Sequence, residues 1–197
     1  MTRLLHLDSS PRGERSHSRH LSGLFVNAFK AVHPDLEVVY RDLGHNPVPH
    51  VDEAWVAGAF LPPENHSPEM KERMQTSDVL VDELIAADYV VLGAPMYNFN
   101  VPSTLKAYID QVIRLGRTFG MDKGNYVALL PPGKKMLVIT SRGGMYRPGM
   151  PAAPYDLQEP FLKLAFGFMG ITDITFVHAD GLNFGDEQRD KSLAEAE

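Results

Sequence analysis

The chain has 197 residues, no cysteine, and 19 basic against 25 acidic side chains. The missing cysteines exclude a disulfide framework, a thiolate metal site and a redox dithiol, and the mild acidity without a basic block argues against nucleic acid as the main partner. The length suits one domain over residues 1–197 that buries about 70% of its extended surface without a staple; no signal-peptide core or run of roughly 20 apolar residues appears, which predicts a soluble cytoplasmic protein and no membrane partner.

Arg3–Leu7 reads as the first strand, followed by a helix from about Ser18 to Ala31 with Leu21, Leu24, Phe25, Ala28 and Val32 at helical spacing. Leu36–Tyr40 is a second strand. A polar, proline-rich connection from Gly44 to Pro68 includes a short helix around Asp52–Phe60, and a helix over about Glu69–Ala86 leads into the third strand, Asp88–Ala94. A helix from about Ser103 to Arg114, a fourth strand at Met136–Thr140, an apolar helix over Leu157–Met169, a fifth strand at Ile174–His178 and a polar tail helix over Gly185–Glu197 follow. Strands alternating with helices predict an α/β fold, a five-stranded parallel sheet with helices on both faces. The insertions at about 44–68 and 115–135 are long enough to be functional or interface-forming.

Three strand ends carry polar chemistry. After the first strand, Ser9-Ser10-Pro11-Arg12-Gly13-Glu14-Arg15-Ser16-His17-Ser18 is hydroxyl-rich and opens onto a helix. Free N–H groups at a helix start, with serine hydroxyls, suit a phosphate, although Ser16 or Ser18 capping the helix accounts for part of this pattern. After the third strand, Pro95-Met96-Tyr97-Asn98-Phe99 offers apolar faces and backbone donors to a flat ring. After the fourth, Ser141-Arg142-Gly143-Gly144 can aim N–H groups at a ring edge or can be a plain turn. With a strand order of 2-1-3-4-5 these loops meet at the switch point where open α/β sheets bind ligands. The eight histidines show no metal-ligand spacing, His6 and His178 read as strand residues, and no metal is predicted. Trp55, Phe60 and Phe119 read as lid or dimer contacts.

These loops, with Val101-Pro102-Ser103-Thr104-Leu105-Lys106 and Gly170-Ile171-Thr172, resemble the FMN-dependent NADH-azoreductases, flavodoxin-like FMN-dependent NADH:quinone oxidoreductases. The resemblance implies a three-layer flavodoxin-like fold and non-covalent FMN held by Ser10, Ser16, His17, Ser18, Met96, Tyr97, Asn98, Phe99, Ser141, Arg142, Gly143 and Gly144. It also implies a homodimer whose two active sites are each lined by both subunits. Where the family pattern has a histidine two residues after the glycine pair, this chain has Tyr146, a hydrogen-bond donor but a poor proton donor at neutral pH.

The resulting expectation is a two-electron oxidoreductase that uses NADH or NADPH to reduce quinones and cleave azo compounds by a ping-pong mechanism, with no obligatory protein acid or nucleophile and Tyr146 as an assisting group. A flavodoxin-like electron carrier or a non-catalytic regulatory protein are the alternatives; the long insertions weigh against the carrier.

Overall fold

The computed structural model describes residues 2–197. In chain order, β1 (Arg3–Asp8) leads to α1 (His17–Val32) and β2 (Glu37–Asp42); α2 (Glu53–Phe60) and α3 (Pro68–Ala86) precede β3 (Tyr89–Pro95). Next come α4 (Ser103–Val112), a small hairpin of β4 (Phe119–Asp122) and β5 (Asn125–Ala128), then β6 (Lys135–Ser141), α5 (Gln158–Met169), β7 (Asp173–Ala179) and α6 (Asp186–Ala196). The main sheet has the order β2-β1-β3-β6-β7, and every neighbouring pair in it is parallel. Its fourth and fifth strands in chain order are thus β6 and β7. The antiparallel β4–β5 pair is a separate sheet that was not expected from the sequence.

Alternation along the strands sorts their side chains between two cores. Leu5 and Leu7 of β1, Val90 and Leu92 of β3, and Met136 and Val138 of β6 pack with Leu80 and Leu84 of α3, Tyr108 and Ile109 of α4, and Leu162 and Phe166 of α5. Leu4, Val91 and Ile139 face the other way, onto Leu21 and Val26 of α1 and Leu193 of α6. Both faces of the sheet are covered, as near-continuous apolar strands require. No helix among the described residues is long and apolar enough to cross a membrane.

The expected apolar face of α1 needs correction. Leu21 is buried, but Leu24, Phe25, Ala28 and Val32 face solvent, and Ser18, Leu21, Ser22 and Val26 turn to the sheet. The N-terminal half of α1 lies so close to β3 that only small side chains fit between them. The Ser22 hydroxyl is satisfied there by donating to the Asp8 carboxylate at 2.8 Å. The tail helix α6 is likewise not wholly a surface element, because Ser192 is buried and Leu193 and Ala196 pack on the second core.

The two long connections are also partly structured. Trp55 of α2 is buried, correcting its assignment to a lid or interface: its indole N–H donates to Gln111 Oε1 at 2.8 Å, and Gln111 Nε2 donates to the Pro49 carbonyl at 2.9 Å. This tethers residues 49–55 to α4. In the hairpin, Phe119 and Tyr126 pack against Phe168 of α5 at ring separations of 4.9 and 5.4 Å.

The reassigned face of α1 makes a stability prediction. Leu21→Ala should cost about 2–5 kcal/mol through the cavity it leaves, whereas Leu24→Ala should stay within about 0.5 kcal/mol. Urea denaturation of both variants checks this; equal losses would restore the Leu24 face to the core.

Candidate functional site

The loops after β1, β3, β6 and β7 converge on one cavity at the carboxyl edge of the sheet. It holds about 350 Å³ and is lined by Ser10, Arg12, Ser16, His17, Pro95, Met96, Tyr97, Ser141, Gly143, Leu182, Asn183 and Arg189. Seven of the residues picked out from the sequence line it directly: Ser10, Ser16, His17, Met96, Tyr97, Ser141 and Gly143. Ser18, Asn98, Phe99, Arg142 and Gly144 stand around it without lining it.

At one end, Ser16 caps α1, its hydroxyl accepting from the Arg19 N–H. Ser18 is fully buried, with its hydroxyl 3.2 Å from that of Ser16. The capping suggested by the sequence is therefore real, but it satisfies only one of the first-turn donors. His17 and Ser18 are the first two helical residues, and their N–H groups have no intrahelical acceptor. The helix dipole and the Arg12 guanidinium make this end electropositive, and Arg189, paired with Asp186 and Asp190 of its own helix at 2.9 and 3.3 Å, also lines it. Burial, then the charges of Arg12, Arg189 and His20, hold the His17 imidazole below its ordinary value of 6.5, so it is mainly neutral at pH 7.

The loop after β1 is fixed from beneath by Arg19. Its Nη2 and Nε both donate to the Ser10 carbonyl, at 2.7 and 3.0 Å, while the same guanidinium forks onto Asp42 and reaches the Tyr40 hydroxyl at 2.8 Å. Tyr40 donates on to Asp8, and His6 meets Ser22 at 3.0 Å, so His6 belongs to a buried polar network. Burial and the neighbouring Asp8 carboxylate push the Tyr40 phenol up to about 12. Burial opposes the charged form of Asp42, but hydrogen bonds from Arg19 and His45 and the Arg19 charge outweigh it, holding its carboxyl well below the usual carboxylate range.

At the other end, Gly143 and Gly144 spend their carbonyls on the N–H groups of Asn183 and Gly181, at 3.1 and 2.9 Å. Neither glycine N–H meets an acceptor among the described residues. Both sites are crowded by neighbouring side chains: a Cβ would lie 2.4 Å from Asn183 Nδ2 at position 143, displacing that amide, and 3.0 Å from the Tyr146 ring at position 144. Neither has positive φ.

The wall between the two ends is a tight turn. Tyr97 and Asn100 exchange backbone hydrogen bonds of 2.8 and 3.1 Å, leaving Asn98 and Phe99 at its tip with φ of 48° and 71°. Phe99 stands near Tyr155 and Tyr146, at ring separations of 5.7 and 6.5 Å. The sequence reading does not include Leu182 and Asn183 of the loop after β7 or Arg189 of α6, although the rule that places ligands beyond strand ends covers that loop too. The site thus offers free donors at two ends of a slot, an electropositive pole at one of them, and apolar and aromatic groups between.

The family described by a flavodoxin-like fold matches residues 2–197 of the chain. An FMN-dependent NADH:quinone oxidoreductase 2 of Trichormus variabilis is 58% identical over 196 residues, covering 100% of this chain and 95% of that protein. An FMN-dependent NADH:quinone oxidoreductase of Azotobacter vinelandii is 46% identical over 196 residues, covering 100% of this chain and 96% of that protein. Among solved structures, an azoreductase from Bacillus anthracis superposes with a TM-score of 0.91 at 28% identity, over 100% of this chain and 95% of its own. An FMN-dependent NADH-azoreductase from the same species, solved in complex with FMN, gives 0.88 at 25% identity, over 100% and 96% of the two chains.

The depressed Asp42 carboxyl makes a pH prediction. Its contribution to stability is complete above the ordinary carboxylate pKa of about 4 and is lost as pH falls toward the depressed folded value. Asp42→Asn should therefore be less stable than the parent at pH 6 and show a shallower loss between pH 5 and pH 3. Urea melts across that range check it; parallel curves would remove the role given to the Arg19–Asp42 pair.

Proposed function

Because the chain belongs to the family of flavodoxin-like fold whose relatives are FMN-dependent NADH:quinone oxidoreductases, we infer that it is itself an FMN-dependent NADH:quinone oxidoreductase, and we propose that azo compounds are also reduced at the same site. The observation that carries this reading is the pairing, in one slot, of unpaired amides at the start of α1 with unpaired amides at Gly143 and Gly144.

The residues present fit the cofactor. The N–H groups of His17 and Ser18, the hydroxyls of Ser10 and Ser16, and the Arg12 and Arg189 side chains would hold the phosphate. The imidazole of His17 would stand beside that phosphate. Pro95, Met96 and Tyr97 would flank the ring, with Asn98 and Phe99 shaping the wall behind them. The Gly143 and Gly144 amides would donate to the ring's polar edge, favouring the state in which that edge carries more negative charge. FMN, when bound, supplies the two-electron chemistry between NADH and the acceptor. Tyr146 keeps its phenol beside the glycine pair, where it would hydrogen-bond.

The nicotinamide and a flat acceptor both need the face of the slot left open opposite this wall, so they bind in turn. The expected result is bleaching of the yellow protein by NADH under anaerobic conditions, recovery of colour on adding a quinone, and parallel double-reciprocal lines. Protein that takes up FMN but is indifferent to NADH would be a carrier; intersecting lines would mean separate sites for the two substrates.

The functional unit we propose is a C₂ dimer. The apolar groups Phe60, Leu61, Met121, Leu129 and Leu164 are all substantially exposed at or beside α2, the hairpin and α5, and Tyr126 keeps much of its ring exposed although it touches Phe168. Light scattering should give twice the mass of the 197-residue chain; a fully active monomer at micromolar concentration would overturn this.

A further inference from the structure

The largest fully buried side chain is a charged one, Arg142, in the middle of the loop after β6. Its Nε and Nη2 form a fork on the buried Asp180 carboxylate, the Nη2 bond being 3.0 Å, and its Nη1 donates to Asp156 at 2.7 Å. Its backbone is committed as well: the N–H donates to the Ala179 carbonyl at 2.8 Å, and the carbonyl accepts from Leu182 at 3.1 Å. The residue has nothing left to offer a ligand. It joins three segments of the site instead.

Asp180 stands at the end of β7, and its second oxygen also accepts from the Tyr146 N–H at 3.3 Å. Asp156 precedes α5, and its other oxygen accepts from the Gln158 and Glu159 N–H groups at 3.0 and 3.1 Å. That corner reaches back to the aromatic wall, because Leu157 donates to the Phe99 carbonyl at 3.0 Å and Gln158 Nε2 donates to the Pro95 carbonyl at 3.0 Å. The guanidinium is paired with both carboxylates, one of which also has Arg147 Nε at 3.7 Å, so it is not a free positive charge beside the slot.

We propose that Arg142 is a positioning residue: its forked bonds to Asp180 and Asp156 hold the Gly143 and Gly144 donors against the Pro95–Phe99 wall and so set the affinity and the potential at the ring end of the slot. This rests on the FMN reading given above. A planar fork can hold two carboxylates at fixed angles, and an ammonium group cannot. Geometry, not charge, is then what a lysine would lose.

The test uses FMN and riboflavin, which share the ring but not the phosphate, on the full chain. Arg142→Lys and Arg142→Gln should each weaken both ligands by the same factor, about tenfold for the equivalent of one lost hydrogen bond, and should move the midpoint potential of bound FMN to more negative values. Ser16→Ala, at the other end, should weaken FMN and leave riboflavin unchanged. Should the Arg142 variants not fold, Asp156→Asn keeps an oxygen for the α5 amides but turns a donor toward Arg142, and should move the potential the same way by less. Wild-type potential and riboflavin affinity in Arg142→Lys or in Asp156→Asn would overturn the proposal, as would a loss confined to thermal stability. A wild-type protein that binds neither ligand would instead overturn the functional reading.

Discussion

A side chain at position 93 would put its Cβ 2.3 Å from an Asp8 carboxylate oxygen and 3.1 Å from the Ser18 carbonyl, and the carboxyl edge of the sheet is built on that near-contact. With only a hydrogen there, the first turn of α1 settles directly over β3 while its preceding loop is still leaving β1. The two ends of the slot are thereby brought onto adjacent strands, β1 and β3, from which the chain departs to opposite faces of the sheet. Buried Ser18 and Ser22 answer to the same spacing: a larger residue at either position would lift the helix and open the slot.

A half-buried arginine and a fully buried one then fix the ends. Arg19, itself held by Asp42, donates to the Ser10 carbonyl, and Arg142 with Asp180 and Asp156 holds the loop after β6. Buried ion pairs of this kind add little net stability, since desolvation offsets most of the attraction, but breaking one leaves a charge without a partner. Their effect here is conformational. Each guanidinium binds backbone or carboxylates belonging to different strand ends, so the loops cannot move independently.

Much of this was legible in the sequence because apolar runs such as Tyr89–Ala94 and Met136–Thr140 have few other uses in a chain this long, and their polar loops stand out against them. The errors have physical causes. The outer face of α1 is apolar at Leu24, Phe25 and Val32, while the inner face includes two serines, so hydrophobic periodicity favoured the wrong stripe. The β4–β5 hairpin was missed because its strands are only four residues each and turn through Lys123-Gly124, too short for an alternation signal. Arg142 stands inside a site motif, and nothing local reveals that Asp180, 38 residues away, is its partner.

The turn at Tyr97–Asn100 has a different kind of consequence. Asn98 tolerates a left-handed backbone well, but Phe99 does so against a preference worth about 1 kcal/mol or more, and the reciprocal backbone bonds between Tyr97 and Asn100 hold both residues there. Positive φ at both central residues is the signature of the compact two-residue turn that closes hairpins. The entropy of ordering the wall is therefore lost once, during folding. A ring entering the slot meets a preorganised surface, and its binding energy need not be drawn down to shape the protein around it.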